Sequence, residues 1–374
     1  MRIRAAVLRE TDRDGHYARS RPLAITEVEL APPGPGEVLV AIKAAGLCHS
    51  DLSVINGDRP RPLPMVLGHE AAGVVEAVGA GVSDLAVGDH VVSVFMPNCG
   101  RCPPCAEGRP ALCEPGAGAN GAGLLSGGAS RLGGAEGAIH HHLGVSAFAD
   151  HAVVSRRSLV RVPSDLPFVE AALFGCAVLT GVGAVVNTAR LTMGSTAAVV
   201  GLGGVGLAAL LGARAAGAGR IVAVDLSDEK LALARELGAT DTVNAADPDC
   251  VEQVRALTAG GVDFGFEMAG SIRALESAVG MTRRGGMTVT AGLPPAGSAL
   301  PVNVVQLVGE ERTLKGSYMG SCVPSRDIPR YIQLYREGRL PVDRLLSATL
   351  TLDQINEGFD RLHHGQAVRQ VIVF

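Results

Sequence analysis

Four cysteines, Cys99, Cys102, Cys105 and Cys113, fall in one short stretch with the spacing C-x2-C-x2-C-x7-C. Thiolates this close in sequence can enclose one tetrahedral zinc ion within a single excursion of the chain, with no coordination position left open. Two further cysteines, Cys48 and Cys176, are far apart and separated by His69. A Cys, a His and a second Cys fill three zinc positions and leave the fourth to water or substrate, which is the make-up of a catalytic ion. Cys250 and Cys322 fit neither set and read as inert core thiols. The run His140, His141, His142 reads as a solvent-facing loop and is given no role. A disulfide framework belongs to small secreted domains, so reduced metal ligands are the better account of eight cysteines in a chain of 374 residues.

A second constellation is GLGGVG, comprising Gly201, Gly203, Gly204, Val205 and Gly206. It follows the apolar run AAVV and precedes a helix-like AALLGARAAGAG, the context in which glycines permit a tight turn and let backbone amides approach a pyrophosphate. Asp225 closes the next strand-like run, IVAVD, where a carboxylate accepts hydrogen bonds from the adenosine ribose hydroxyls and repels a 2′-phosphate. NAD is therefore expected over NADP. Lys230 either touches the adenosine ribose or is an ordinary helix-surface lysine.

These residues need elements to position them. From Arg4 to about Ala177 short apolar runs such as EVLVAIKAAG and DHVVSVF alternate with Pro and Gly clusters, the texture of a β-rich domain. Glu114 to Ala138 is rich in Gly and Ala and predicts a mobile surface excursion after the cysteine loop. After Cys176 the strand, helix, strand, helix alternation predicts an α/β domain with a doubly wound parallel sheet. The net charge of −4 and the lack of a basic run argue against nucleic acid or a membrane surface as partner and leave small molecules. The first residues, MRIRAAVLRETDRDGH, contain no apolar signal-peptide core, which predicts a cytoplasmic protein.

With both cysteine sets, GHE at Gly68 to Glu70 and GLGGVG in hand, the chain resembles the zinc-containing medium-chain alcohol dehydrogenases, including the liver-type enzymes and the thiol-dependent formaldehyde dehydrogenases. The stretches GLCHSDL, LGHEAAGVVEAVGAGV, PNCGRCPPC, FGCAVLTGVGAVVNTA, VGEERTLKGS and INEGFDRL carry the likeness over nearly the whole length. It implies a GroES-like catalytic domain at 1–177 and 321–374 and a Rossmann NAD-binding domain at 178–320. It also implies two zinc ions per chain, the catalytic one on Cys48, His69 and Cys176, with Asp51 and Glu70 supporting His69 and the charge of the ion. Ser50 matches the hydroxyl that passes the substrate proton outward. His49 and Arg369 match positions at the coenzyme pyrophosphate, and Thr180, Val205, Ala291, Leu293, Ser317 and Met319 match positions around the nicotinamide.

Hydride transfer between an alcohol and its aldehyde or ketone follows from that resemblance. Where many relatives have a histidine as terminal proton acceptor this chain has Ser53, which cannot hold a proton near neutral pH. Phe95 matches a pocket position and implies an apolar wall favouring medium or aromatic alcohols. Glutathione-dependent relatives carry an arginine just beyond the last loop cysteine, where this chain has the neutral PGAGANGAG, and acidic residues near NGDRPRPLP, which is here net basic; the resemblance therefore disfavours glutathione, although another S-hydroxymethyl thiol adduct stays open as substrate. A non-enzymatic zinc or thiol sensor is the remote alternative. A homodimer or homotetramer is implied, with Leu300 to Lys315 supplying a strand at the two-fold axis.

Overall fold

A computed structural model describes residues 1–134 and 137–374. The chain forms two compact units, one of Met1–Cys176, Val323–Arg330 and Leu346–Phe374, the other of Ala177–Cys322 and Tyr331–Leu345.

In the first unit the strand Glu37–Gly46 carries the run EVLVAIKAAG, buried apart from Lys43 and the half-buried Leu39. Such a continuous apolar run suits a strand covered on both faces. It pairs antiparallel with Glu70–Val78, His151–Ser155 and Arg369–Val373 at the centre of a seven-stranded sheet. Arg2–Leu8, Leu23–Leu30, Leu132–Gly134, Gly137–His141 and Met65–Val66 close into a small barrel. Phe148 and Phe359 pack edge to face 5.8 Å apart within the core between these layers.

The surface excursion expected over Glu114 to Ala138 contains regular elements that its composition does not suggest. Glu114–Ala122 is a helix, and Leu132–Gly134 and Gly137–His141 are barrel strands; residues 135 and 136 of that stretch lie outside the described ones. Tertiary bonds override the poor helix propensity of EPGAGANGA. Cys113 Sγ accepts from Gly116 N at 3.4 Å, and Asn120 Nδ2 donates to Phe95 O at 2.7 Å. Gly116 lies so close to Pro97 that a Cβ would come 2.3 Å from its carbonyl oxygen. Here glycine serves close approach.

The second unit is a parallel sheet of six strands in the order Asp241–Asn244, Arg220–Asp225, Thr196–Val200, Val262–Glu267, Thr282–Thr290, Thr313–Gly316. The order reverses direction at Thr196–Val200, where a doubly wound sheet opens its ligand crevice at the carboxyl ends of the strands. The run PVNVVQLV is helical where a strand was expected: Asn303 Oδ1 caps the helix Val304–Gly309 by accepting from Gln306 N at 3.1 Å. Only Thr313–Gly316 is extended, as the edge strand.

The helical stretch Phe168–Ala189 is long and apolar enough to cross a membrane, but 83% of its most apolar window is buried within the protein, as in a core helix.

Candidate active site

Cys48 follows the strand Glu37–Gly46 and stands at the N-cap of the helix His49–Ile55. Asp51, at the third helical position, accepts from Cys48 N with Oδ2 at 3.3 Å, so one carboxylate fixes both the helix start and the cysteine backbone. His69 follows Gly68, whose φ of +93° suits glycine and where a Cβ would meet Phe148 N at 2.6 Å. Cys176 lies in a π-helical turn, Phe174–Val178, next to Gly175, where a Cβ would meet Ser93 O at 2.1 Å. The wider turn and the missing side chain bring the cysteine out of α-helical register and close to the sheet.

These elements bring one ligand atom each of Cys48, His69, Glu70 and Cys176 within 4.8 Å of one another, all buried. Zinc–nitrogen and zinc–sulfur bonds of about 2.0 and 2.3 Å at tetrahedral angles make an S···N edge of roughly 3.5 Å. Cys176 Sγ lies 3.5 Å from His69 Nε2. His69 Nδ1 faces Asp51 Oδ1 at 3.1 Å, which leaves Nε2 for an ion. The residues therefore fit zinc.

The charges around this centre are strongly coupled. Hydrogen bonding from Cys176 outweighs burial to hold the Cys48 thiol well below its ordinary range, and Cys176 correspondingly well above. Burial would lower His69, but the Asp51 and Cys48 charges outweigh it and hold the ring well above the ordinary value. Burial pushes Glu70 up to about 7 even though Arg369 stands beside it. Arg369 donates from one Nη to Glu70 Oε1 at 2.9 Å and to Leu47 O at 3.2 Å, while its Nε has no partner. Phe95 packs edge-on against the His69 ring at 5.5 Å. Ser53 Oγ donates to His49 O at 2.9 Å.

The ligand atoms of Cys99, Cys102, Cys105 and Cys113 likewise lie within 4.8 Å of one another. The Cys102 and Cys113 sulfurs are 4.0 Å apart, close to the roughly 3.8 Å S···S edge of a tetrahedral zinc thiolate. Backbone amides of Arg101 and Cys102 hold the Cys99 thiol down to about 6, whereas burial pushes Cys105 up to about 12. All eight cysteines are free.

In the second unit the three glycines differ in environment. Gly201 has φ +91° and would place a Cβ 2.7 Å from Ala269 N, Gly206 would place one 1.8 Å from Gly201 O, and Gly203 opens onto empty space. Asp225 accepts from Leu202 N at 2.6 Å and Ser227 N at 3.0 Å, tying the glycine turn to the second strand. Ala291 and Ser317 directly follow the carboxyl ends of two strands. Thr180 and Met319 are buried, Leu293 is exposed, and Gly204 lies buried under the half-exposed Val205. Lys230 is half-buried in the first turn of the helix Asp228–Leu237, capped by Ser227 Oγ.

The sequence reading missed three residues. His141 and His142, expected to face solvent, are buried. His141 Nε2 accepts from Arg131 N at 3.1 Å, and burial holds its pKa down to about 3; His142 brings Nδ1 to 3.0 Å from Asp51 Oδ1. Three adjacent histidines carry no periodic signal, although the apolar LGVSAF beside them hinted at a buried segment. Glu267 was also passed over. It is buried, and its carboxylate accepts from Ala269 N, Gly270 N and Thr290 Oγ1 at 2.6–2.8 Å. It thus joins two strand ends at the carboxyl edge of the sheet.

Residues 34–164 match the alcohol dehydrogenase GroES-like domain and residues 204–337 the zinc-binding dehydrogenase domain. The chain belongs to the zinc-dependent alcohol dehydrogenase family, enzymes that use zinc and NAD to interconvert alcohols with aldehydes or ketones. Among its relatives, an S-(hydroxymethyl)glutathione dehydrogenase of Paracoccus denitrificans is 38% identical over the full length of both chains. A class-3 alcohol dehydrogenase of Drosophila melanogaster is 40% identical over 96% of each. The crystal structure of benzyl alcohol dehydrogenase from Acinetobacter calcoaceticus superposes with a TM-score of 0.93 at 34% identity, covering all of this chain and 99% of that one.

Proposed function

We propose that this enzyme oxidises primary or secondary alcohols with medium-sized or aromatic side chains, and reduces the matching aldehydes or ketones, at a zinc ion held by Cys48, His69 and Cys176. The convergence of those three buried ligand atoms carries the reading. When bound, zinc supplies a Lewis acid for the substrate oxygen and NAD supplies the hydride acceptor.

The chain's own residues do the rest. Asp51 keeps the proton on His69 Nδ1 and thereby aims Nε2. Arg369 compensates the buried Glu70 carboxylate. Phe95, edge-on to His69, supplies an apolar wall beside the reacting carbon. Ser50 accepts a hydrogen bond from the substrate hydroxyl and relays the proton by handing its own on to water or buffer base, since Ser53, with its hydroxyl donated to His49 O, offers no acceptor that holds a proton near neutral pH. Gly201, Gly203 and Gly206 let the turn approach the pyrophosphate of NAD, and Asp225 holds the adenosine ribose. Cys99, Cys102, Cys105 and Cys113 hold a second, structural zinc.

We further infer a homodimer. Val302, Val304, Val305, Val308 and Leu314 are exposed beside the edge strand Thr313–Gly316, an apolar patch that a second copy would cover. Free cysteines throughout fit a reducing cytoplasm.

A screen of alcohols and aldehydes with NAD or NADH at 340 nm, run with and without thiols, tests the substrate reading. Turnover of benzyl-type and medium-chain alcohols without thiol is expected. Strict dependence on a thiol with formaldehyde would instead support the adduct reading that the Paracoccus relative's name suggests.

A further inference from the structure

Asp51 is fully buried and surrounded by donors. Its Oδ1 accepts from Gly68 N at 3.0 Å and faces His69 Nδ1 at 3.1 Å, and its Oδ2 accepts from Cys48 N. The fourth group is His142, whose Nδ1 stands 3.0 Å from the same Oδ1, off the axis of a full hydrogen bond. The His142 ring also meets the His69 ring edge-on, with centroids 5.5 Å apart at 83°.

The loop that carries His142 is built onto the loop that carries His69. His142 N donates to Ser146 Oγ at 2.9 Å, and Ser146 Oγ donates to Val66 O at 2.9 Å. Ala147 N and Phe148 N donate to Gly68 O and Leu67 O, both at 3.0 Å. Leu143 and Ser146 adopt φ of +51° and +57°, a strained turn that delivers the ring to Asp51.

A second metal ion does not suit this cluster. His69 has two ring nitrogens, one aimed at the Cys48 and Cys176 thiols and the other at Asp51, and Asp51 Oδ1 already serves an amide. A nitrogen lone pair 3.0 Å from a carboxylate oxygen would be repulsive, so His142 Nδ1 carries its proton there.

We propose that His142 is a positioning residue of the zinc centre: it fixes the Asp51–His69 pair. The carboxylate orients a ligating histidine and raises its basicity, so a second group that holds that carboxylate in place fixes the ligand ring against rotation and keeps the ion bound. The inference rests on the assignment of His69 as a zinc ligand made above.

The test uses the holoenzyme, His142→Phe, which keeps a ring but loses the nitrogen, and His142→Asn, which restores a donor. Zinc release to a chromogenic chelator is followed, with the four-thiolate zinc as internal reference, and the d–d spectrum of cobalt at the catalytic site is recorded. His142→Phe is expected to release the catalytic ion about tenfold faster and to shift the cobalt bands, with the loop zinc unchanged, and His142→Asn to recover much of both. Wild-type release and an unshifted spectrum in His142→Phe, or a fall in melting temperature alone, would overturn the proposal. Cys176→Ser separates the two readings. If it costs no zinc, the ligand assignment fails and the inference fails with it; if it costs one ion, the His142 variants decide.

Discussion

Two substitutions in the glycine turn should separate packing from binding. At Gly206 an added Cβ would lie 1.8 Å from Gly201 O and 2.9 Å from its carbonyl carbon. An ordinary contact needs roughly 3.4 Å, so backbone must move by more than an ångström between the turn and the helix Gly204–Ala215, a displacement that costs about 3 kcal/mol. In a unit of this size that is a fall in melting temperature of roughly 6–12 °C. At Gly203 the backbone has φ −73° and ψ −175°, open to any residue, and nothing lies within 4 Å. Gly203→Ala should therefore melt like the wild type or slightly higher. Its methyl group would occupy the approach of the pyrophosphate to the turn, and NADH affinity should fall at least tenfold, about 1.4 kcal/mol. Calorimetry and NADH fluorescence titration read the two effects independently. Wild-type NADH affinity in Gly203→Ala, or wild-type melting in Gly206→Ala, would refute the division of labour.

Asp225→Gly should narrow the NAD over NADP preference in kcat/KM by about tenfold, because the carboxylate that repels a 2′-phosphate is gone. Cys105→Ser should lower zinc content by one ion per chain and lower thermal stability. At Asp263, burial raises the pKa, but the Thr196 amide and hydroxyl and the Arg283 guanidinium outweigh it and hold the carboxyl low. Its stabilisation is thus present above about pH 4 and is lost as pH falls through the folded value; Asp263→Asn should cost about 2 kcal/mol near pH 7 and progressively less below pH 4 in urea titrations. Ser53→His should raise turnover near neutrality and blunt its dependence on buffer base when proton release limits the rate, since imidazole titrates near pH 6.5 where a hydroxyl does not.

The clusters that could be read from sequence are those whose chemistry imposes spacing. Cys99, Cys102, Cys105 and Cys113 are local, and GLGGVG needs a strand before it and a helix after it. Cys48, His69 and Cys176 have no such spacing, and only the motifs around them joined the three. His142 was illegible because its meaning lies in a strained turn that aims it at a residue far upstream. The helix Glu114–Ala122 was illegible because its Gly116 answers to Pro97 and its Asn120 to Phe95, neither of which is a periodic signal. The alternation in PVNVVQLV suited a strand, but Val304, Val305 and Val308 also lie on one helical face, and the Asn303 cap decides between them.

The strand Arg369–Val373 lies beside Glu37–Gly46, and Arg369 meets Glu70 across 299 residues of chain. During synthesis the coenzyme unit can fold as its nearly continuous segment leaves the ribosome, whereas the sheet under Cys48 still lacks Leu346–Leu350 and, last to arrive, Arg369–Val373. Until that strand arrives, Glu70 is a carboxylate without its guanidinium and the thiols beside it are less protected from oxidation. Ribosome-bound chains that stop before Arg369 should therefore take up the loop zinc but not the catalytic one, which the zinc content of stalled chains would check.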